Sequence, residues 1–394
     1  MCRFKFGFCA VLMMMVFMPV SFVHGQGRLA ISKSLEKNLQ LDEETAYPGP
    51  LGSTFQYCAD TDEIVYFNRI TTTLKFYAYS SGKQTREIAM EMEGPNTIGP
   101  DPFYCYYHNK DSIFVLSRGN NFRLNLMNGE GEKINTYPFG EPDNFELPLP
   151  ASATVFGALQ VADDRVYLAV DVPWRELGEE VAPIIVIDLK TKSSQFLSRP
   201  KPYRSLDLDR IVAPNQHRTE YYSTRIAYHP QKDNLLINYA LEESLYLLSK
   251  DGVTTINGKS KLLGEIQFLT QSRDSYRKNS KQLLEPIYAS GWYHGVIYDG
   301  FRDCYYRIGK ASVEKSKVRR KLNGEKIKIP YEYVVMAFDG ELKFMDEIKF
   351  STKDGIVHRG IFIGPDGLHI AQLNTKGEDV MGFTTITLST DEKN

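Results

Sequence analysis

At 394 residues and a formal charge of −2, the chain can hold one large domain or two to three average ones. Apolar residues at 42% and aromatic residues at 12% supply a substantial core and exclude a disordered chain. The balanced charge excludes nucleic acid as a partner of the molecule as a whole and leaves any electrostatic role to local patches.

The first stretch reads as an address. Arg3 and Lys5 precede an uncharged apolar run, Phe6 to Val20, and small or tolerated residues lead to Gln26. This predicts a signal peptide over residues 1–25, cleaved after Gly25. The run is short for the span of about 20 residues that a membrane helix needs, and Pro19 ends it. The mature chain, residues 26–394, is therefore expected to be exported to the periplasm, cell surface or medium and not to be an integral membrane protein. Cys58, Cys105 and Cys304 remain in it. An odd number beside strand-like runs predicts small buried hydrophobes rather than a disulfide framework, although Cys58 and Cys105 occupy corresponding places where one bridge would fit.

From there a unit of four short strands recurs. Unit one is Ser53–Cys58, Glu63–Asn68, Leu74–Tyr79 and Thr85–Met90. Unit two is Phe103–His108, Ser112–Ser117, Phe122–Leu126 and Glu132–Tyr137. Unit three is Thr154–Val161, Arg165–Val170, Pro183–Leu189 and Ser194–Leu197. Unit four is Tyr222–His229, Leu235–Ala240, Leu245–Leu248 and Val253–Ile256. Unit five is Ile287–Tyr298, Asp303–Ile308, Tyr331–Phe338 and Leu342–Phe350. Unit six has only Val357–Ile363, Leu368–Leu373 and Gly382–Leu388. The runs are β-branched and aromatic, cut by Gly, Pro, Asn and Asp. Strands such as Leu235–Ala240 are apolar on both faces, so both must be covered. Similar units stacked around an axis do this. The prediction is an all-β, six-bladed propeller in a single domain. Leu29–Leu41 should supply the fourth strand of the last blade and leave no open edge. No long stretch keeps a helical period; the best, Leu262 to Leu284, is broken by polar residues.

Two stretches carry a resemblance. Gly94-Pro95-Asn96-Thr97-Ile98-Gly99 and Tyr298-Asp299-Gly300-Phe301-Arg302-Asp303-Cys304-Tyr305-Tyr306-Arg307 are similar to a TolB-like six-bladed propeller family of unknown function, from secreted proteins of Bacteroidetes. Asp111-Ser112-Ile113-Phe114-Val115 and Leu39-Gln40-Leu41-Asp42 fit the same pattern, so the likeness covers nearly all the mature chain. It implies export and the fold, and no activity. Family members often carry a lipid-modified Cys straight after the signal; here Gln26 takes that place.

Loop lengths point to a working face. Turns after the first and third strands are short. The long insertions fall in second-to-third connections and blade links: Glu91–Pro102, Pro138–Ala153, Asp171–Ala182, Ser198–Tyr221, Asn257–Pro286 and Gly309–Pro330. Long ordered loops on a rigid scaffold tend to carry function. Their charge is uneven. Lys310, Lys315, Lys317, Arg319, Arg320, Lys321, Lys326 and Lys328 meet only Glu314 and Glu325 within their loop. Arg199, Lys201, Arg204, Arg210, His217 and Arg218 lie in a second loop, and Lys259, Lys261, Arg273, Arg277, Lys278 and Lys281 in a third. A charge run is often only a solvated face, yet this one would attract an anionic ligand.

No catalytic constellation stands out. The histidines are scattered without metal-ligand spacing, and no Gly-x-Ser-x-Gly turn occurs. Asp303 can pair with Arg302 or Arg307, as a blade-stabilising network or an acid–base set. The expectation is a non-catalytic binding module whose long-loop face holds a glycan, peptide or envelope protein. Asn96, Arg302, Arg307, Arg319, Arg320 and Lys321 are its candidate ligand-binding residues. The alternative is a metal-dependent, lactonase-like or other hydrolase with its site in the central channel. No catalytic residue, metal ligand or cofactor is assigned.

Overall fold

The computed structural model describes residues 27–43, 45, 54–117, 123–138, 149–150, 158–171, 184–197, 224–267, 280–351, 356–372 and 379–390. The expected signal peptide lies outside them. So do the first part of unit three and most of the loops around Arg199–Arg218 and Arg273–Lys278.

Blade one is β2 (Phe55–Cys58), β3 (Glu63–Asn68), β4 (Thr73–Ala78) and β5 (Gln84–Ala89). Blade two is β6 (Pro102–Asn109), β7 (Ser112–Ser117), β8 (Arg123–Met127) and β9 (Lys133–Pro138). In blade three, β10 (Leu149–Pro150) and β11 (Leu159–Ala162) both pair with β12 (Arg165–Asp171), which is followed by β13 (Ile184–Asp188) and β14 (Ser194–Leu197). Blade four is β15 (Thr224–His229), β16 (Asn234–Tyr239), β17 (Ser244–Ser249) and β18 (Gly252–Asn257). Blade five is β19 (Trp292–Asp299), β20 (Cys304–Lys310), β21 (Glu332–Asp339) and β22 (Phe344–Ser351). Blade six is β23 (Ile356–Gly364), β24 (Gly367–Gln372) and β25 (Val380–Thr390), completed by β1 (Gly27–Gln40) from the other end of the chain.

The middle strands are apolar on both faces because each face meets a different blade. Along β3, Ile64 and Tyr66 pack with Phe362 and Phe383 of blade six. Val65 and Phe67 pack with Cys105 and Val115 of blade two. Alternate side chains leave opposite faces of a strand, so a stacked sheet needs apolar residues at both parities. Cys58, Cys105 and Cys304 are buried and unbridged within these cores.

The ring closes as the missing strand required. β1 pairs antiparallel with β25 from Gly27↔Thr390 to Gln40↔Val380, with a register shift between Ser32 and Lys37. The closure is fastened to blade one: the Gln40 amide donates to the Gly82 carbonyl at 2.9 Å. Gly82 has φ +66°, and a Cβ there would lie 1.7 Å from the Asn38 carbonyl oxygen. No side chain fits at that close approach.

Two helices replace expected coil and strand. Ile287 to Ala289, read as the start of unit five, ends helix α1 (Ser280–Ala289) instead. Helix α2 (Lys315–Leu322) forms inside the basic loop and buries only Val318.

Antiparallel order within each blade puts the turns after first and third strands at one end of the ring. Second-to-third connections and blade links lie at the other, as the loop reading required. α1 and α2 both belong to the long-link end.

Candidate functional site at the short-turn end of the axis

The inner strands β2, β6, β11, β19 and β23 converge on a cavity of about 250 Å³. Ala59, Gly300 and Phe301 also line it. They belong to first-to-second-strand turns, so the cavity opens at the short-turn end. Its rings are Phe55, Tyr57, Tyr104, Tyr106, Tyr298, Phe301 and Phe362, and its polar side chains are Thr54, Gln56, Cys105, Gln160 and the tyrosine hydroxyls. No Asp, Glu, Lys, Arg or His lines it among the described residues.

The lining is held in place by its own sequence. Tyr57 donates its hydroxyl to Asp62 at 2.9 Å, Tyr228 to Asp233 at 2.9 Å, and Tyr298 to Asp303 at 3.1 Å. In all three the Asp follows the Tyr by five residues and closes a hairpin turn with φ of 53°, 47° and 45°. Asp tolerates this left-handed geometry better than most residues. At the mouth, Tyr57 and Tyr298 are thus tethered outward by their hydroxyls while their rings wall the cavity. Burial, then the Asp62 hydrogen bond, pushes the Tyr57 hydroxyl up to about 12. Burial pushes Tyr106 up to about 12 and also raises Tyr104, Tyr298 and the Cys105 thiol. Every lining group is therefore uncharged at neutral pH.

Two glutamines occupy the same register. Gln56 precedes the terminal pair Cys58↔Glu63 by two residues, and Gln160 precedes Ala162↔Arg165 by two. The Gln56 amide donates to the Tyr107 carbonyl at 2.5 Å and accepts from the Tyr107 amide at 2.9 Å. It thereby satisfies the inner edge of blade two. Gln160 has no hydrogen-bond partner among the described residues and faces the cavity.

A belt of contacts joins neighbouring blades around this mouth. Asp60 accepts from the Tyr107 hydroxyl at 3.2 Å and the Lys110 amide at 2.9 Å. Arg165 reaches Asp233 at 3.1 Å. Asp303 lies 3.0 Å from His229 Nε2, so it pairs with neither Arg302 nor Arg307. Arg302 instead pairs with the fully buried Asp299 at 2.8 Å and donates to the carbonyls of Gly364 and Pro365 in blade six. Asp299 accepts from the Phe301 amide at 2.9 Å, so this pair sets the turn that presents Phe301. Phe301 is 51% exposed, and its ring lies 5.8 Å from that of Tyr57.

The other sequence candidates lie elsewhere. Arg307 is fully buried between blades four and five. It donates to Asn238 and to the carbonyls of Glu242, Glu243 and Gly258 at 2.6–2.8 Å. Its guanidinium also covers the Tyr293 ring at 3.3 Å. A Cβ on Gly258 would lie 2.5 Å from this guanidinium, which explains the glycine. Asn96 lies in a blade link, at the opposite end of the ring from Arg302. It sits in a turn closed by the Thr97 amide and the Gly94 carbonyl at 3.2 Å, with Gly94 at φ +88°. That turn is fastened to blade two, where Lys133 donates to the Thr97 carbonyl at 2.9 Å.

On α2, Arg319 forms a two-pronged pair with Glu285 of α1 at 2.8 and 2.9 Å. Arg320 pairs with Glu325 at 2.7 Å, Lys317 with Glu314 at 3.2 Å and Lys315 with Glu265 at 3.7 Å. Glu285 and Glu265 come from the neighbouring link, so the loop is less unbalanced than its own sequence suggests. Arg319, Arg320 and Lys321 fill the last turn of the helix, where cations complement its dipole. Lys310 is buried against the Trp292 ring at 4.2 Å and donates to the Ser290 carbonyl at 3.1 Å. Lys321, Lys326 and Lys328 are exposed without an ion pair among the described residues.

No group of three or more His, Cys, Asp or Glu side chains converges among the described residues. No described helix is long and apolar enough to cross a membrane. The cavity residues Gln56, Tyr57, Gln160 and Phe301 escaped the sequence reading. The fivefold Tyr-to-Asp spacing in three units, and glutamine at one register in two, were the available signals.

A crystal structure of a DUF4221 family member from Bacteroides vulgatus ATCC 8482 is similar at a TM-score of 0.71 and 18% identity, covering 93% of this chain and 99% of that one. A Bacteroides fragilis NCTC 9343 protein, provisionally described as exported, is similar at 0.51 and 11% identity, covering 91% and 95%. These likenesses carry the fold. No curated protein matches the chain. A family profile matches residues 29–349, and the chain belongs to that family, described as Domain of unknown function (DUF4221).

Proposed function

We propose that the protein is an exported, non-catalytic binding module that takes a small uncharged ligand into the axial cavity from the short-turn end. One observation carries this reading: an open cavity of about 250 Å³, walled by aromatic rings of which Tyr57 and Tyr298 are tethered at the mouth, without a charged side chain. Pockets for drug-sized ligands run to about 300–1,000 Å³, so this one suits a single ring or its equivalent. Fixed rings lower the ordering cost of binding. General acid–base catalysis needs a group that titrates near neutral pH, and the raised tyrosines and thiol do not. Export rests on the apolar stretch before Gln26 and on the description of the Bacteroides fragilis relative. The likeness to TolB-like propellers belongs to the same reading.

A second reading keeps the long-link face for an anionic glycan, peptide or envelope protein. Exposed Lys321, Lys326 and Lys328 favour it, with Arg319 and Arg320 beside them. A binding screen of neutral and acidic small molecules at low and high salt separates the two. The cavity predicts a neutral hit, indifferent to salt and lost in Ala59→Trp, which sets a ring across the mouth. Salt-sensitive acidic hits that survive Ala59→Trp, without a neutral one, would move the site to the long-link face, since exposed charges are screened over about 8–10 Å.

A further inference from the structure

Resting on the cavity reading, we propose that the occupant is one neutral pyranose ring, the terminal sugar of an uncharged glycan. Three features of the cavity select this chemistry.

The first is charge. An acidic sugar, a phosphate or an amino-acid zwitterion would leave water for a wall that offers no counter-charge, at a cost that uncharged partners cannot repay. The second is the pairing of aromatic rings with a neutral amide. The C–H faces of a pyranose carry partial positive charge and suit the negative faces of aromatic rings. Its neighbouring hydroxyls each donate and accept. Gln160 offers a carbonyl and an NH₂ from one side chain, and neither is used among the described residues. Gln56, at the same register in blade one, shows that this position delivers an amide to two groups at once.

The third is the mouth. Phe301, 51% exposed beside Tyr57, lines the cavity at its mouth, on a turn fixed by the Asp299–Arg302 pair. A second sugar linked to the first would lie over it. The geometry therefore assigns Gln160 to the hydroxyls of the inner ring and Phe301 to the adjoining ring.

The test is ligand-observed NMR and calorimetric titration of the mature chain. The probes are methyl glycosides of glucose, galactose and mannose, N-acetylglucosamine and the β-linked disaccharides of each. Glucuronic acid, glucosamine, phenol and indole serve as counter-probes. At least one neutral glycoside should bind, equally at low and high salt, with its charged counterpart about tenfold weaker or worse. Gln160→Leu should weaken the monosaccharide by about tenfold for one lost neutral hydrogen bond and by up to about a hundredfold for two. Phe301→Ala should weaken the disaccharide clearly more than the monosaccharide. Both variants should melt with the parent.

If phenol or indole binds in a manner abolished by Ala59→Trp and no glycoside does, the sugar assignment is overturned while the cavity reading stands. If no uncharged probe binds in an Ala59→Trp-sensitive manner, both fall. Equal weakening of mono- and disaccharide by Phe301→Ala would overturn the two-ring arrangement.

Discussion

His369 shows how a single residue can be fixed in one protonation state by its neighbours. Its ring stacks on Phe362 at 4.6 Å. Tyr79 donates its hydroxyl to Asp366 at 2.9 Å, which leaves its oxygen to accept from His369 Nε2, also at 2.9 Å. Thr385 then donates to Nδ1 at 3.0 Å. This is the neutral ring with both nitrogens satisfied. Burial, then the positive charge of Lys37, pushes its pKa down to about 3, with Asp366 opposing and Arg302 adding. The unfolded ring takes up its proton near its ordinary value of 6.5. The unfolded state therefore binds more protons between these values, and stability falls as pH drops through that window. The loss reaches at most about 3 kcal/mol near pH 4, at about 1.4 kcal/mol per unit. Thermal melts from about pH 7 down to about pH 4 should fall more steeply for the parent than for His369→Gln. Parallel curves would mean that His369 charges in place.

Arg307 is the opposite case, a fully buried charge satisfied chiefly by carbonyls and an aromatic face. Arg307→Ala leaves those carbonyls without donors and opens a cavity between blades four and five. The cavity and the unsatisfied carbonyls together should cost about 3–5 kcal/mol, read as a lower denaturation midpoint. Arg307→Lys should rescue little, because one ammonium cannot reproduce the fork. A ligand role would appear instead as lost binding at unchanged stability.

At the scale of elements, the strands were legible because β-branched and aromatic runs and the turn residues between them agree, and helices α1 and α2 were not. α1 carries Pro286 within it, and its last residues, Ile287-Tyr288-Ala289, run into an apolar strand and read as part of it. Five of the eight residues of α2 are basic and it buries one side chain, so it presents no apolar stripe. Its support comes from α1, through Glu285, which no local pattern reveals. β1 was legible by subtraction, since the last unit lacked a strand and an apolar stretch stood spare. Removing residues 27–42 should expose the β25 edge, free the Gly82 turn and produce aggregation or a sharply lower melting temperature. A truncated chain that melts with the parent would show that the ring does not depend on closure.

For the whole molecule, topology orders what sequence proximity cannot. Asn96 and Arg302 were read together as candidate ligand-binding residues of one module. Strand alternation sends a blade link and a first-to-second turn to opposite ends, so the two lie apart. The end bearing each loop was readable from strand order alone. The cavity was not, because it depends on where five inner strands from five blades meet, and each strand contributes only one to three residues. The most direct test is a crystal structure of residues 26–394 soaked with whichever neutral glycoside binds in solution. Density for the sugar is expected between Tyr57, Gln160 and Phe301 at the short-turn end of the axis. Density at the long-link face instead, beside α2 and Lys321, with the axial cavity holding only water, would contradict the account.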